Sequence, residues 1–234
     1  MNIMDKVSVI IPTYNRFKYL LNTLNSIKTQ TYENIEIIVI NDGSDEEAYN
    51  TYDWEKENIK IIHLPENSKC VGRTRNIGVE NADGKYIAFC DDDDIWFPEK
   101  IDLQIKAIKE HDCKMASTEG LLGSGIYNPS KRYKKYISEN FRKHYINKYK
   151  PHGIDLSKTI PTIWDLKLIS IDNLFITSSV IVEKELYIKV GGMPFNRRGQ
   201  DYMCWLKILK HTDSVFIPDV CVYYDNKHGD GKNH

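Results

Sequence analysis

Two runs near the start of the chain are almost unbroken in apolar residues: Val7-Ser8-Val9-Ile10-Ile11 and Ile35-Glu36-Ile37-Ile38-Val39-Ile40. Near-continuous β-branched runs suit parallel strands buried on both faces. Between them Leu20, Leu24 and Ile27 recur at i, i+4 and i+7, one face of a helix. The pattern predicts a β-α-β unit with a right-handed crossover. Asn41-Asp42-Gly43 then makes a turn, and Ser44-Asp45-Glu46-Glu47 has the S-x-x-E form of a capping box, so a helix is predicted there. Ile59 to Ile62 predicts a third strand, Arg73 to Asn81 a helix ended by Asp83-Gly84, and Lys85 to Cys90 a fourth strand. Pro98 at a first helical position, followed by Ile101, Ile105 and Ile108 on one face, predicts the next helix. Up to about residue 118 the chain alternates strand and helix, the signature of an α/β fold.

The alternation breaks from Glu119 to about Ile171. Gly120, Gly123 and Gly125 loosen the chain, and Lys131 to Lys150 is rich in Lys and Arg. Within this stretch Ile137, Phe141, Tyr145 and Tyr149 fall four apart, which predicts an amphipathic basic helix. Two readings of residues 131–150 stand side by side: peripheral contact with an anionic membrane or an acidic acceptor, or a solvated helix whose aromatic side packs on the domain. From Asn173 regular structure returns, with a strand predicted over Leu174 to Val182, a short helix over Glu183 to Val190 and a turn at Gly191-Gly192. A helix from Gln200 to Lys210 and closing strands at Val215 to Ile217 and Val220 to Tyr224 follow; the polar tail from Asp225 to His234 reads as mobile when empty. The expected organisation is a single domain in two parts, the alternating unit 1–118 and the remainder 119–234.

Composition narrows the class. A chain of 234 residues with a formal net charge of -1 gives no global electrostatic argument for nucleic acid. Five cysteines without C-x-x-C spacing suggest neither a disulfide framework nor a zinc site. With no apolar run near the about 18 residues of a spanning helix and a strand starting within a few residues of Met1, a soluble, cytoplasmic protein is expected, peripheral at a membrane only through 131–150.

The chemistry concentrates where apolar runs end. Tyr86 to Cys90 drives into four aspartates, Asp91 to Asp94. Adjacent carboxylates at a buried strand end repel one another, and a hard divalent cation relieves that repulsion while binding phosphate. A solvated acidic turn is the plainer reading of such a run. Its position after a strand and before a helix favours a metal–diphosphate site, because α/β sheets bind ligands at the carboxyl ends of their strands. Thr13-Tyr14-Asn15 after the first strand and Asp42 after the second converge on the same edge. Asp42 can accept a base N–H, from uracil or guanine alike, or simply form an Asx-turn. Neither G-x-G-x-x-G nor G-x-x-x-x-G-K-[ST] occurs, so dinucleotide and P-loop readings lack a phosphate cradle.

The run Val7 to Arg16, the segment Ile38 to Ser44, Gly72-Arg73-Thr74-Arg75-Asn76-Ile77-Gly78, Cys90 to Asp94 and the stretch from Gly191-Gly192 to Trp205 together resemble family-2 glycosyltransferases, in the family's order. The resemblance implies the GT-A fold, a mostly parallel central sheet with flanking helices and an acceptor-side C-terminal region. It also implies an inverting mechanism, a nucleotide-sugar donor (a UDP sugar above all), a glycan or glycoconjugate acceptor, and Mn²⁺ or Mg²⁺. Carried over by position, Thr13 and Asp42 hold the nucleobase, with Pro12 and Tyr14 in the same segment. Arg75, or in its place Arg73, closes over the nucleotide. Asp91 and Asp92 face the ribose and diphosphate, Asp93 binds the metal, His228 is a further metal or phosphate ligand, and Asp201 is the catalytic base. Two positions depart from the family: Gln200 replaces the usual Glu before that Asp, and Phe195-Asn196 stand where an acidic residue is common. Gln200 cannot serve as a base, which leaves Asp201 alone in that role. A sugar nucleotidyltransferase, a non-catalytic nucleotide- or glycan-binding descendant and a membrane-associated scaffold are the rival readings. Trp96 and Trp205 are read as core or rim residues ahead of sugar-stacking ones.

Overall fold

The computed structural model describes residues 4–196 and 198–228. Its strands are β1 (Val7–Thr13), β2 (Ile35–Asn41), β3 (Ile59–His63), β4 (Tyr86–Phe89), β5 (Ile95–Trp96), β6 (Met115–Gly123), β7 (Lys134–Lys135), β8 (Ile163–Trp164), β9 (Ile181–Glu183) and β10 (Ser214–Asp225). Its helices are α1 (Phe17–Lys28), α2 (Ala48–Thr51), α3 (Val71–Glu80), α4 (Lys100–Glu110), α5 (Arg142–Tyr149), α6 (Leu166–Ile171), α7 (Lys184–Lys189) and α8 (Gln200–Ile208). The strands form one mixed sheet in the order β3-β2-β1-β4-β9-β6-β10-β5, with β7 on β6 and β8 on β10. The pairs β3–β2, β2–β1, β1–β4 and β6–β10 are parallel, while β9 runs antiparallel to both β4 and β6.

The apolar runs fill both faces of the sheet, as predicted. Val7, Val9, Ile11, Val39 and Ala88 belong to one buried cluster, under α1 and α4. Ile10, Ile38, Ile40, Ile87 and Phe89 belong to the other, together with residues of the later half of the chain such as Tyr145, Trp164 and Trp205. Helix α3 lies very close to the sheet: a Cβ at Gly78 would sit 2.4 Å from Cγ2 of Ile10 and 2.7 Å from Cδ1 of Ile40. The two halves expected from sequence share this one sheet, since β9 is inserted between β4 and β6.

Several sequence expectations are corrected. Ser44 caps no helix: its hydroxyl accepts the N–H of Asn15, and only the one-turn α2 follows. Glu46 instead accepts the N–H of Phe17 at the start of α1, so the acidic stretch caps a neighbouring helix. The helix after the aspartates begins at Lys100, because Ile95–Trp96 first pairs with β10. The strand predicted over Leu174 to Val182 is mostly a 3₁₀ turn, Thr177–Ser179, followed by the short β9. The closing strands are one strand, β10, irregular between Ile217 and Val222 around Pro218. The tail reading fails at its first residue, since Asp225 is buried and its carboxylate accepts the N–H groups of Gly125 and Lys227; the tail beyond His228 lies outside the described residues.

The basic segment 131–150 divides into a π-helical turn, Tyr136–Asn140, and α5. Ile137, Tyr145 and Tyr149 are buried in the main core and Phe141 packs against it. The apolar side of this segment thus faces protein, and what remains outside is charge. Among the described residues no helix is long and apolar enough to cross a membrane. All five cysteines are free thiols, four of them buried.

Candidate active site

The site is built where β1, β2 and β4 end. β4 pairs with β1 only through Ile10↔Phe89, so Ile11, Pro12 and Thr13 continue alone beside β2 and a crevice opens at that point. The Cys90 N–H donates to the Ile10 carbonyl at 3.1 Å, and the four aspartates then turn through a bond from the Asp94 N–H to the Asp91 carbonyl.

Each aspartate has a different partner. Asp91 pairs with Arg75 of α3. Asp92 is fully buried against Arg16, with Nε 3.2 Å from Oδ2 and Nη2 2.5 Å from Oδ1. Asp93 lies 3.0 Å from Arg16 Nη1. Asp94, also fully buried, accepts from Ser178 Oγ at 2.5 Å and from the Asp225 N–H at 2.9 Å. Through these two bonds its carboxylate ties β10 to the β4 end.

Burial dominates the electrostatics. It pushes the Asp92 carboxyl up to about 6 against the opposing pull of Arg16. Burial, then the charge of Asp92, raises Asp93 well above the usual carboxylate range; burial, then Asp93, does the same to Asp94. Burial works against the Arg16 charge too, but Asp92, Asp93 and Asp91 outweigh it and hold the guanidinium above its ordinary value.

In front of the aspartates lies a cavity of about 800 Å³, within the range that suits a bound small molecule. Of the residues singled out by sequence, Arg75, Asp91, Asp93, Asp201 and His228 line it, joined by Arg16, Thr177, Tyr136, Phe175, Tyr224 and Arg198. Asp201 stands in the first turn of α8, and its Oδ2 accepts a 2.8 Å hydrogen bond from Thr177 Oγ1. Gln200 also reaches the cavity wall, buried, with its Oε1 unpartnered. The Cγ of Gln200 lies 2.9 Å from where a Cβ on Gly72 would stand, so α8 packs on α3 at a point only glycine allows.

Pro12, Thr13, Asp42 and Asp92 stand behind this wall. Thr13 is fully buried and its hydroxyl pairs with Tyr49 at 2.7 Å. Asp42 is held beside it by its N–H to the Thr13 carbonyl, and both its carboxylate oxygens are occupied by Ser68, from the backbone N–H and the hydroxyl at 2.9 Å each. Tyr14 is half-buried in the same turn. Trp96 and Trp205 are both core residues, and Phe195, the departure from the acidic position, is 71% exposed.

Among the described residues no group of three His, Cys, Asp or Glu side chains is arranged to hold a metal ion unaided. One or two carboxylates with substrate phosphates suffice for a Mg²⁺-type ion, however. Asp93, its charge strained by burial, and His228 line one cavity, so the residues fit an ion that arrives with a diphosphate.

Arg16 and Thr177 carry more of the site than the sequence reading gave them. A charge count would have found Arg16, the cation placed after β1 opposite four carboxylates. No local signal marks Thr177, which depends on the turn that replaced a predicted strand.

A central, mostly parallel mixed sheet, flanking helices and a ligand cavity at the strands' carboxyl ends together make the GT-A fold of nucleotide-sugar transferases. The sequence profile of glycosyl transferase family 2 matches residues 8–162, and the chain belongs to that family. It is 42% identical over 106 residues to an uncharacterized glycosyltransferase of Rickettsia bellii, across 45% of this chain and 15% of that protein. It is 36% identical over 113 residues to the glycosyltransferase GlyA of Streptococcus pneumoniae, across 48% of this chain and 16% of GlyA. Over 115 residues it is 34% identical to TuaG of Bacillus subtilis, a putative teichuronic acid biosynthesis glycosyltransferase, across 48% of this chain and 45% of TuaG. The chain thus spans less than half the length of these relatives. Among solved structures it is similar to S. aureus TarS 1-349 in complex with UDP-GlcNAc, with a TM-score of 0.67, 21% identity and coverage of 98% of this chain and 62% of that one. A mannosyltransferase from Pyrobaculum calidifontis in complex with GDP-Man and Mn²⁺ also aligns, with a TM-score of 0.67 and 17% identity over 95% of this chain and 57% of that one.

Proposed function

We propose that the chain is an inverting glycosyltransferase that moves a sugar from a nucleoside diphosphate, a UDP sugar first among the candidates, to an acceptor hydroxyl in glycan or polysaccharide synthesis. The observation that carries this reading is one cavity with Asp93 and His228 on its wall together with Asp201. Diphosphate departure and proton removal from an acceptor need those two kinds of group in one space. Asp93 with His228 would hold Mn²⁺ or Mg²⁺, and such an ion supplies Lewis-acid stabilisation of the charge that grows on the departing diphosphate.

The chain's own residues do the rest. Asp201 takes the proton of the acceptor hydroxyl as its oxygen bonds to the anomeric carbon; the bond from that carbon to the diphosphate breaks on the opposite face, and configuration inverts. General-base help of this kind contributes about 10²–10⁴-fold. Thr177 orients the Asp201 carboxylate. Arg75, paired with Asp91, stands where it can cover the nucleotide. Thr13 and Asp42 shape the nucleobase end: because Asp42 already holds Ser68, it positions the turn at Asn67–Lys69 and reaches a base itself only by exchanging a Ser68 bond. Tyr136, Phe175 and Tyr224 give the acceptor side an aromatic wall.

The experiment is incubation with Mn²⁺ and a panel of UDP and GDP sugars, followed by nucleotide release. Donor hydrolysis or transfer supports the reading. Thermal stabilisation by nucleotide without turnover would replace it with a binding protein.

A further inference from the structure

Arg16 follows β1 and buries its guanidinium among the aspartates, where only 4% of its side chain is exposed. Its Nε and Nη2 take the two oxygens of Asp92, and its Nη1 lies 3.0 Å from both Asp93 Oδ2 and the carbonyl of His228. A guanidinium does not deprotonate in proteins, so this charge is permanent. The neighbouring carboxylates are taken otherwise, Asp91 by Arg75 and Asp94 by Ser178 and the Asp225 N–H. The carboxylate best placed to ligate a metal therefore already has a cation, and among the described residues no cluster of three ligating side chains offers an alternative.

We infer that Arg16 is the resident counter-cation of the metal site, a positioning residue that keeps Asp93 neutralised while the donor is absent and makes divalent-metal binding depend on the diphosphate arriving with it. This rests on the metal–diphosphate reading above. A bare divalent ion approaching Asp93 meets a fixed positive charge at contact range, in a buried site where repulsion is weakly screened. A diphosphate brings the negative charge that offsets both cations. Arg16 thus joins metal and nucleotide into one binding event.

Calorimetric titration at pH 8 tests this, with MnCl₂ alone, UDP alone and the two together, on wild type, Arg16→Gln and Arg16→Lys. Wild type is expected to bind Mn²⁺ alone weakly, and about tenfold or more tighter once UDP is saturating, a normal size for coupling between two ligands. Arg16→Gln should bind Mn²⁺ alone about tenfold tighter than wild type, with the Mn²⁺–UDP coupling reduced by a similar factor. Arg16→Lys, which keeps the charge but cannot span Asp92, Asp93 and the His228 carbonyl, should fall between. No gain in affinity for Mn²⁺ alone, or an unchanged coupling, overturns the inference; if Arg16→Gln does not fold, Arg16→Lys decides by the same two criteria. Wild-type UDP binding that ignores Mn²⁺ is a different result: it removes the metal–diphosphate reading, and this inference with it.

Discussion

Thr177 Oγ1 donates a 2.8 Å hydrogen bond to Asp201 Oδ2, and the next residue, Ser178, binds the aspartate run. The Ser178 hydroxyl accepts the Asp91 N–H at 2.9 Å and donates to Asp94 Oδ2. One 3₁₀ turn, Thr177–Ser179, therefore fixes the proposed base and the proposed metal side relative to each other.

Asp201→Asn separates proton transfer from binding. The amide oxygen can still accept from Thr177, so the cavity should keep its shape and its affinity for UDP. Transfer should fall by about 10²–10⁴-fold, the range for losing a general base. Single-turnover rates with a competent donor and acceptor check this; transfer at near wild-type rate would assign the base elsewhere. Thr177→Val should lower kcat with little change in donor KM, because it frees the carboxylate to rotate without touching the nucleotide.

Adjacent aspartates should give opposite phenotypes. Asp93 lines the cavity, so Asp93→Ala is expected to abolish metal-dependent turnover and weaken UDP binding while the fold persists. Nucleotide affinity measured with and without Mn²⁺ reads this directly; a metal response retained in the variant takes Asp93 out of the metal site.

Asp94→Ala should act on stability. It leaves the buried Ser178 hydroxyl and the Asp225 N–H without their acceptor, and each unsatisfied buried group costs about 1–3 kcal/mol. A urea midpoint close to that of wild type would show that water or a neighbour replaces the carboxylate.

These contrasts also show where the sequence was readable. β1, β2 and β4 were legible because strands buried on both faces need continuous apolar runs, and α1 because Leu20, Leu24 and Ile27 line one face. The positions of Asp93 and Asp201 in one cavity were expected through the resemblance to relatives, not through any local pattern. The aspartates' individual partners were not legible, since Arg16, Ser178 and Asp225 reach them across 76, 84 and 131 positions of chain. Thr177 was hidden for a related reason. Leu174 to Val182 is apolar enough for a strand, but the Ser178 bonds to the aspartate run hold a turn there instead. Residues 131–150 could be read in sequence as a surface-contacting helix or as one packed on the domain, because aromatic spacing is the same whether the rings meet lipid or, as here, the protein's own core.

Lys100 supplies a test of the core that does not involve the chemistry. It is fully buried at the start of α4, with Nζ 3.8 Å from the Trp96 ring centroid and 2.8 Å from Gln104 Oε1. Burial without a carboxylate partner pulls its pKa down to about 7, against 10.5 for an ordinary lysine. Below pH 7 the lysine is charged in both folded and unfolded chains and contributes no slope. Between pH 7 and 10 the unfolded chain binds the extra proton, so stability should rise with pH in that window. Lys100→Met removes the titrating group while keeping an unbranched side chain. Urea unfolding at pH 6.5, 7.5 and 8.5 should show wild type gaining on the variant by about 1 kcal/mol per pH unit above pH 7, near the limit for a single proton. Groups common to both proteins cancel in that difference. Parallel stability curves across the window would mean that Lys100 keeps its proton in the folded core, held by Trp96 and Gln104 more strongly than burial opposes it.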